Sequence, residues 1–177
     1  MKKAIASILM FITFLILYFL QANFFSWFTI AGIKPNLFIL LILFIGLYAG
    51  RKAGIISGLL LGFLLDALMG KSMGGSMLML GIIGFLGGYF DKNFSKESRI
   101  TIMLMVIGST CLYEVGSYIL HIIQLGIYVE IIPFIKILCI EIVYNTILTI
   151  ILYPGIQKLG YQLEDIFKGQ KILTRYF

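Results

Sequence analysis

The chain has 177 residues, of which 60% are apolar and 12% are charged, and its mean hydropathy is +1.04. A soluble domain carries about 25% charged residues, so this composition excludes that class and predicts lipid as the solvent. The net charge of +6 comes from basic residues in short segments between apolar runs, which indicates membrane orientation rather than nucleic-acid binding.

Six apolar runs follow one another along the chain, and each is interpreted as a transmembrane helix, since one crossing needs roughly 20 apolar residues. The first run follows Lys2 and Lys3 and has no small-residue cleavage site after it, which favours a retained span over a signal peptide. Pro35 is expected to begin the short second span, and Pro154 to end the sixth. The predicted spans are 4–20, 35–49, 53–69, 73–90, 100–125 and 131–153 in a single membrane domain, 1–177, with 156–177 as a cytoplasmic tail. This tail is expected to form an amphipathic helix on the membrane surface.

The basic residues predict which side of the membrane each loop occupies. Six spans place both termini on one side, and with that side in the cytoplasm only Lys34 and Lys71 lie in outer loops, while Lys136 lies in the sixth span. The other 11 of the 14 basic residues lie inside: Lys2, Lys3, Arg51, Lys52, Lys92, Lys96, Arg99, Lys158, Lys168, Lys171 and Arg175. This bias predicts a multi-pass membrane protein with cytoplasmic N- and C-termini.

Glycines recur at every fourth position along the second and third predicted spans and again in the fourth. The recurring set is Gly46, Gly50, Gly54, Gly58 and Gly62, and later Gly84 and Gly88. Small residues at this spacing let helix backbones approach closely in lipid. Two interpretations stay open, which are packing inside the bundle and a docking surface for a partner helix, with Gly84 and Gly88 as the partner-facing candidates.

Ionisable side chains lie within several predicted spans, where a charge at the bilayer centre costs about 2.5–3.5 kcal/mol. Those of the fifth and sixth spans are Glu114, His121, Lys136 and Glu141. From the helical rise, Glu114 and Glu141 lie about 15 Å deep, and His121 and Lys136 about 6 to 8 Å deep, so a hairpin would bring them level in pairs. Asn145 shares a helix face with Glu141. The alternatives are a path for an ion or substrate and a polar network, with one carboxyl protonated, that fixes helix packing.

Asp66 lies in the third span, about 20 Å along its helix and one turn before Gly70. We expect its side chain to cap or position the connection to the fourth helix, close to Lys71.

No enzyme signature is found in the sequence. The single histidine excludes a two-histidine zinc motif, and neither a phosphate-binding glycine loop nor a nucleophile elbow is present. Cys111 and Cys139 both lie in apolar runs, which favours packing over a disulfide or a metal site. No catalytic residue, cofactor or metal is therefore expected.

Three short motifs and a glycine that follows them resemble the rod shape-determining protein MreD family. They are Ile33-Lys34-Pro35-Asn36-Leu37, Gly50-Arg51-Lys52-Ala53-Gly54, Gly62-Phe63-Leu64-Leu65-Asp66 and Gly74. The family pairs a glycine-bearing third helix with an acidic residue and a glycine turn, and the matching positions are Gly58, Gly62, Asp66, Gly70 and Gly74. The chain length, the six spans and the polar fifth and sixth helices also match.

This resemblance implies a non-enzymatic scaffold of the cell-elongation machinery in a bacterial inner (cytoplasmic) membrane, which supports lateral cell-wall synthesis. The implied partners are MreC and the complex of a RodA-type glycosyltransferase with a class B penicillin-binding protein, with MreB and membrane lipid as further candidates and no nucleic acid. The family is similar in fold to the substrate-binding subunits of energy-coupling-factor transporters, so the alternative is a vitamin-binding subunit. That alternative needs a polar pocket on the outer side. We expect few polar groups there, namely Lys71, His121, Gln124, Glu130 and Lys136, which favours the scaffold.

Overall fold

The computed structural model describes residues 2–69, 74–94, 96, 98–126 and 130–168. Six main helices form within these residues: α1 (Lys2–Phe19), α2 (Leu37–Ala49), α3 (Arg51–Met69), α4 (Gly75–Asn93), α5 (Arg99–Leu125) and α6 (Ile131–Lys168). The first is extended by a π-helical turn, Leu20–Phe24, and one α-helical turn, Phe25–Trp27. Each predicted apolar run therefore forms a helix.

The protein is an all-helical membrane protein. In the described part of the chain, four helices are long and apolar enough to cross a bilayer: Lys2–Trp27, Arg51–Met69, Arg99–Gln124 and Ile131–Lys168. The helix α2 is apolar but has only 13 residues. The number of membrane crossings stays a prediction.

The helices alternate in direction between two ends of the bundle. At one end, the Tyr144 hydroxyl of α6 donates a hydrogen bond to the carbonyl oxygen of Phe28, after α1, at 2.6 Å. At the opposite end, Ala6 near the start of α1 lines the same groove as Leu159 of α6. We call the first the Tyr144 end and the second the Leu159 end.

The prediction that the sixth helix ends at Pro154 is wrong, because α6 continues through this proline to Lys168. A proline removes one helix hydrogen bond and usually breaks a helix in water, but membrane helices tolerate it when neighbours compensate. Here Gly160 packs against the ring of Tyr48, and Glu164 forms an ion pair with Lys96 at 2.6 Å. Packing against α2 and this ion pair keep the segment beyond Pro154 helical and continuous with the rest of α6. At the other boundary, α2 begins at Leu37, two residues after Pro35.

The short helix α2 lies at the centre of the bundle, and every residue in it except Leu41 is buried. A helix that is apolar on all sides is expected in such a position, because no face of it needs water. It ends at Ala49, and Gly50, with a φ of +93°, makes the whole connection to α3. The left-handed region that this turn requires favours glycine.

The recurring glycines pack helix against helix inside the bundle. A Cβ atom on Gly84 of α4 would overlap the carbonyl oxygen of Gly54 on α3, and one on Gly88 would overlap the backbone of Arg51. A Cβ on Gly62 would lie 2.6 Å from the Cα of Met77. The interpretation of Gly84 and Gly88 as partner-facing is therefore wrong. Both are buried at the contact between α3 and α4, where small residues let the backbones touch.

Gly46 of α2 and Gly58 of α3 pack against the same helix. A Cβ on Gly46 would overlap the carbonyl oxygen of Gly84, and one on Gly58 would overlap that of Leu80. The glycines thus join α2, α3 and α4 into one closely packed layer.

Candidate functional site

A cavity of about 340 Å³ opens at the Tyr144 end, between the start of α2, the end of α3 and the facing parts of α5 and α6. Its ionisable lining residues are Lys34, Asp66, Glu114, His121 and Glu141. Neutral polar groups, among them Gln21, Asn36, Ser76 and Tyr113, complete its walls. The cavity therefore joins polar side chains from most of the helices in the bundle.

Asp66 fixes the wall of the cavity that α3 and α4 share. Its side chain is only 2% exposed and accepts hydrogen bonds from the backbone N–H groups of Gly74 (2.9 Å), Ser76 (3.2 Å) and Met77 (3.2 Å). The first N–H groups of a helix have no partner within it, so this carboxylate caps the N-terminus of α4. Gly74 has a φ of +103°, which favours glycine at this position. Gly70 and Lys71 lie outside the described residues.

The entry to α2 is held by side chains of other helices. The backbone N–H of Asn36 donates to Oδ1 of Asn145 at 2.9 Å, and that of Leu37 donates to Oε1 of Gln21 at 3.1 Å. Asn145 is fully buried, and its Nδ2 donates to Oγ1 of Thr110 at 3.1 Å. Non-helical backbone at membrane depth must be satisfied within the protein, and these amides do so.

The structure brings Glu114 and Glu141 together on the cavity wall, where the two carboxyls interact. Glu141 is 6% exposed, and its Oε1 is buried without a hydrogen-bond partner. His121 also lines the cavity, with Nδ1 3.3 Å from the carbonyl oxygen of Ser117. Lys136, predicted to lie level with His121, is exposed and is not part of the lining.

The expectation of few polar groups in a pocket at this end is wrong. Among the residues that the sequence suggested for it, His121 lines the cavity, whereas Gln124, Glu130 and Lys136 do not, and Lys71 is outside the described residues. The polar groups that do line it project from inside the helices, as Glu114 does, or from their junctions, as Asn36 does. Counting loop residues cannot find such groups, because the fold gathers them from segments far apart in sequence.

A second polar cluster lies at the Leu159 end and joins the end of α4 to the end of α6. We call it the ion cluster, and its members are Asp91, Lys96, Glu164 and Lys168. Lys96 contacts Asp91 at 2.9 Å and Glu164 at 2.6 Å, and Lys168 contacts Asp91 at 2.7 Å. The Nζ atom of Lys168 also donates to the carbonyl oxygen of Leu47, at the end of α2. This cluster was not predicted from the sequence, because its two halves, Asp91 with Lys96 and Glu164 with Lys168, are far apart along the chain.

The ion cluster shifts the protonation of its members. Burial alone would raise the pKa of the Asp91 carboxyl, but hydrogen bonds from Lys168 and Lys96 outweigh it and hold that pKa below its ordinary value of 3.8. Burial alone would lower the pKa of the Lys96 ammonium, but hydrogen bonds to Glu164 and Asp91 raise it above 10.5. Both shifts favour the charged forms at neutral pH.

In the described part of the chain, the acidic, histidine and cysteine side chains are not arranged to hold a metal ion at either end. Among the described residues, no group of three or more histidine, cysteine, aspartate or glutamate side chains is placed to hold one. Cys111 is half-buried and Cys139 is exposed, and both are free thiols.

Comparison with protein-family models gives one finding. The model described as rod shape-determining protein MreD matches residues 1–162. No curated protein and no solved structure matches the chain.

Proposed function

The chain belongs to the rod shape-determining protein MreD family, and on that premise we propose that it is a non-enzymatic scaffold of the bacterial cell-elongation complex. Membership assigns it a role in rod shape determination. The match over residues 1–162 carries the proposal, because it spans all the helices but the last turns of α6.

We place the protein in the inner membrane with six crossings and both termini in the cytoplasm. Two observations support this topology. The six helices alternate in direction, and the predicted cytoplasmic residues Lys96 and Lys168 meet in the ion cluster at a single end. Lys34, predicted to lie outside, is at the opposite end, where its Nζ donates to Oγ of Ser26 at 2.7 Å. The short helix α2 then crosses inside a protein shell, where its length need not match the bilayer.

The scaffold binds MreC, and through it the RodA-type glycosyltransferase with its class B penicillin-binding protein, by contacts between helices in lipid; MreB is a further candidate. With Gly84 and Gly88 buried, the partner-facing glycine that we propose is Gly108 of α5. It is exposed, and a Cβ placed on it would meet nothing within 4 Å. Leu104 (64% exposed), Val115 (41%) and Ile119 (49%) lie on the same face of the helix. A partner helix can approach such a face closely at its glycine.

The second candidate function is the substrate-binding subunit of an energy-coupling-factor type transporter. The cavity of about 340 Å³ favours it, since small-molecule sites are clefts of roughly 300–1,000 Å³ with a few convergent polar groups. We keep the scaffold as the proposed function because the matching family is described by its role in rod shape determination.

Copurification tests the scaffold directly. The tagged chain is purified in mild detergent from a rod-shaped host, and its partners are identified by mass spectrometry. We expect MreC and the synthase pair in stoichiometric amounts, and rounded cells on depletion of the chain. Recovery of an ATP-driven transporter module instead of these proteins would favour the transport subunit.

A further inference from the structure

Two residues that line the cavity carry buried hydrogen-bond acceptors that lack donors. Oε1 of Glu141 and Oδ1 of Asn36 are both buried without a hydrogen-bond partner, and both residues line the cavity. Buried polar atoms in folded proteins are nearly always paired, and an unpaired one costs about 1–3 kcal/mol. Two such acceptors on residues that line one cavity are therefore available to an occupant that brings donors.

The polar groups around these two oxygens already have partners. The carboxylate of Asp66 accepts three backbone N–H groups, and the hydroxyl of Tyr113 donates to Oγ of Ser76 at 3.3 Å. Lys34, a lysine in the lining of the cavity, donates a hydrogen bond from its Nζ atom to Oγ of Ser26. Lys34 is thus engaged outside the cavity wall, and a ligand with N–H groups can supply the donor that Oε1 of Glu141 lacks.

The two carboxyls define the charge of that ligand. Glu114 and Glu141 interact on the cavity wall, and a positive charge placed beside two carboxyls that share a site favours the charged form of both. The last torsion of a glutamate is broad, so a small rotation turns Oε1 of Glu141 toward the cavity. The rings of Tyr118 and Phe134, 4.5 Å apart at their centroids, form an aromatic wall beside the carboxyls, and aromatic faces also attract cations.

We propose that this cavity binds a small organic cation with a primary ammonium group, held by Glu141, Glu114 and the Oδ1 atom of Asn36. A primary ammonium has three N–H donors, which matches the acceptors on the wall. The volume of about 340 Å³ is larger than one inorganic ion needs, and among the described residues no three histidine, cysteine, aspartate or glutamate side chains are placed together to hold a metal. The proposed ligand site does not involve the scaffold partners, so its binding experiment can succeed or fail independently of the proposed function.

An ammonium group can reach the cavity as a free amine or as the headgroup of an aminophospholipid, and the experiment separates these sources. The full chain is purified in detergent, and its thermal unfolding midpoint is measured with rising ethanolamine hydrochloride, against sodium chloride at equal ionic strength. The same midpoint is then compared in nanodiscs of phosphatidylethanolamine and of phosphatidylglycerol. A saturable rise with ethanolamine assigns the free amine as a sufficient ligand. A rise only in phosphatidylethanolamine discs assigns the headgroup.

Variants decide whether the cavity is the site. Glu141→Gln keeps the shape of the side chain and removes its charge, so we expect the apparent affinity to fall on the order of tenfold or more. Glu114→Gln should act in the same direction. Glu130→Gln is the matched control, because Glu130 is exposed and does not line the cavity. The shift on ligand addition is read within each variant, so a change in basal stability does not hide it.

Several results would overturn the proposal. They are no shift from either amine source, an equal shift from tetramethylammonium, which has no N–H donor, and an equal shift from magnesium chloride alone. An equal loss in the Glu130→Gln control would also overturn it, because the effect would then be general electrostatics.

Discussion

The carboxylate of Asp66 accepts a hydrogen bond from the backbone N–H of Gly74 at 2.9 Å, across the connection between α3 and α4. Two further bonds, from the N–H groups of Ser76 and Met77, use both carboxylate oxygens. One buried side chain therefore closes the turn and caps the following helix.

Replacement of Asp66 should weaken this connection in steps. Asp66→Ala removes all three bonds, and we expect it to lower the free energy of unfolding by about 1–3 kcal/mol. Asp66→Asn keeps one acceptor oxygen, which can still serve Gly74 and Met77, but its NH₂ group faces the N–H of Ser76, so it should be intermediate. Denaturant unfolding of the detergent-purified variants measures both. An Asn variant as unstable as the Ala variant would mean that the negative charge, not the hydrogen-bond geometry, stabilises the turn.

A methyl group at the glycine contact between α3 and α4 should destabilise the protein. Gly84→Ala places a Cβ against the carbonyl oxygen of Gly54, so the two helices must separate. Gly108→Ala is the control, because this position is open, and alanine there should stabilise a helix by about 0.5–1 kcal/mol. Protein level and thermal midpoint should fall for Gly84→Ala alone. Equal behaviour of the two variants would contradict the close packing.

Partner binding should respond to Gly108 and not to another open glycine. Gly108→Leu keeps the fold but adds bulk to the exposed face of α5, so we expect the protein to stay abundant while copurification of MreC falls severalfold. Gly155→Leu is the control, because Gly155 is also exposed with nothing within 4 Å. If the Gly108→Leu variant keeps its partners, α5 is not the contact face.

The ion cluster should stabilise the protein over a defined pH range. Asp91 has a lowered pKa, so its contribution is present above its ordinary value of 3.8 and is lost as pH falls through the lower, folded value. Lys96 has a raised pKa, so its contribution is present below 10.5 and is lost as pH rises through the higher, folded value. The difference in unfolding free energy between the wild type and Asp91→Asn should be about 1–3 kcal/mol and constant between about pH 5 and 9. It should shrink in acid below about pH 4.

The control for this measurement is Asp165→Asn, which removes an exposed carboxylate from α6 close to the cluster. It should cost little at any pH. A difference for Asp91→Asn that persists unchanged at pH 3 would show that the carboxylate acts without its charge.

Cysteine labelling tests the topology. In a background with Cys111 and Cys139 replaced by alanine, single cysteines are introduced at Lys34 and at Phe94, which are exposed at opposite ends of the bundle. A membrane-impermeant thiol reagent should label Lys34→Cys in intact spheroplasts and Phe94→Cys only after permeabilisation. Labelling of both from the same side would exclude six crossings.

The positions of the helices could be predicted well from the sequence, because a run of about 20 apolar residues has few structures other than a helix in lipid. The predicted helix end at Pro154 was wrong, because contacts of the following segment with Tyr48 and Lys96 outweigh the helix-breaking effect of the proline. The glycine spacing predicted close packing but not its direction, since one helix face looks the same whether it meets α4 or a partner. The cavity could not be foreseen for a similar reason. Glu114 and Glu141 were placed at one depth by the helical rise, yet Asn36 joins them only through the folded entry of α2.

The hydrogen bonds of Asp66 and the contact of Gly54 with Gly84 join only α3 and α4, so this pair closes without any later part of the chain. During synthesis, the segments near the N-terminus leave the ribosome first. A nascent chain that extends just past α4 therefore already contains both sides of these contacts, and the N–H groups of Gly74, Ser76 and Met77 can bond to Asp66 once both helices are in lipid. The entry of α2, by contrast, waits for Asn145, which is among the last residues to be translated. We therefore expect the contacts between α3 and α4 to form before the entry of α2 is completed, so that substitutions at Asp66 and at Asn145 affect different stages of biogenesis.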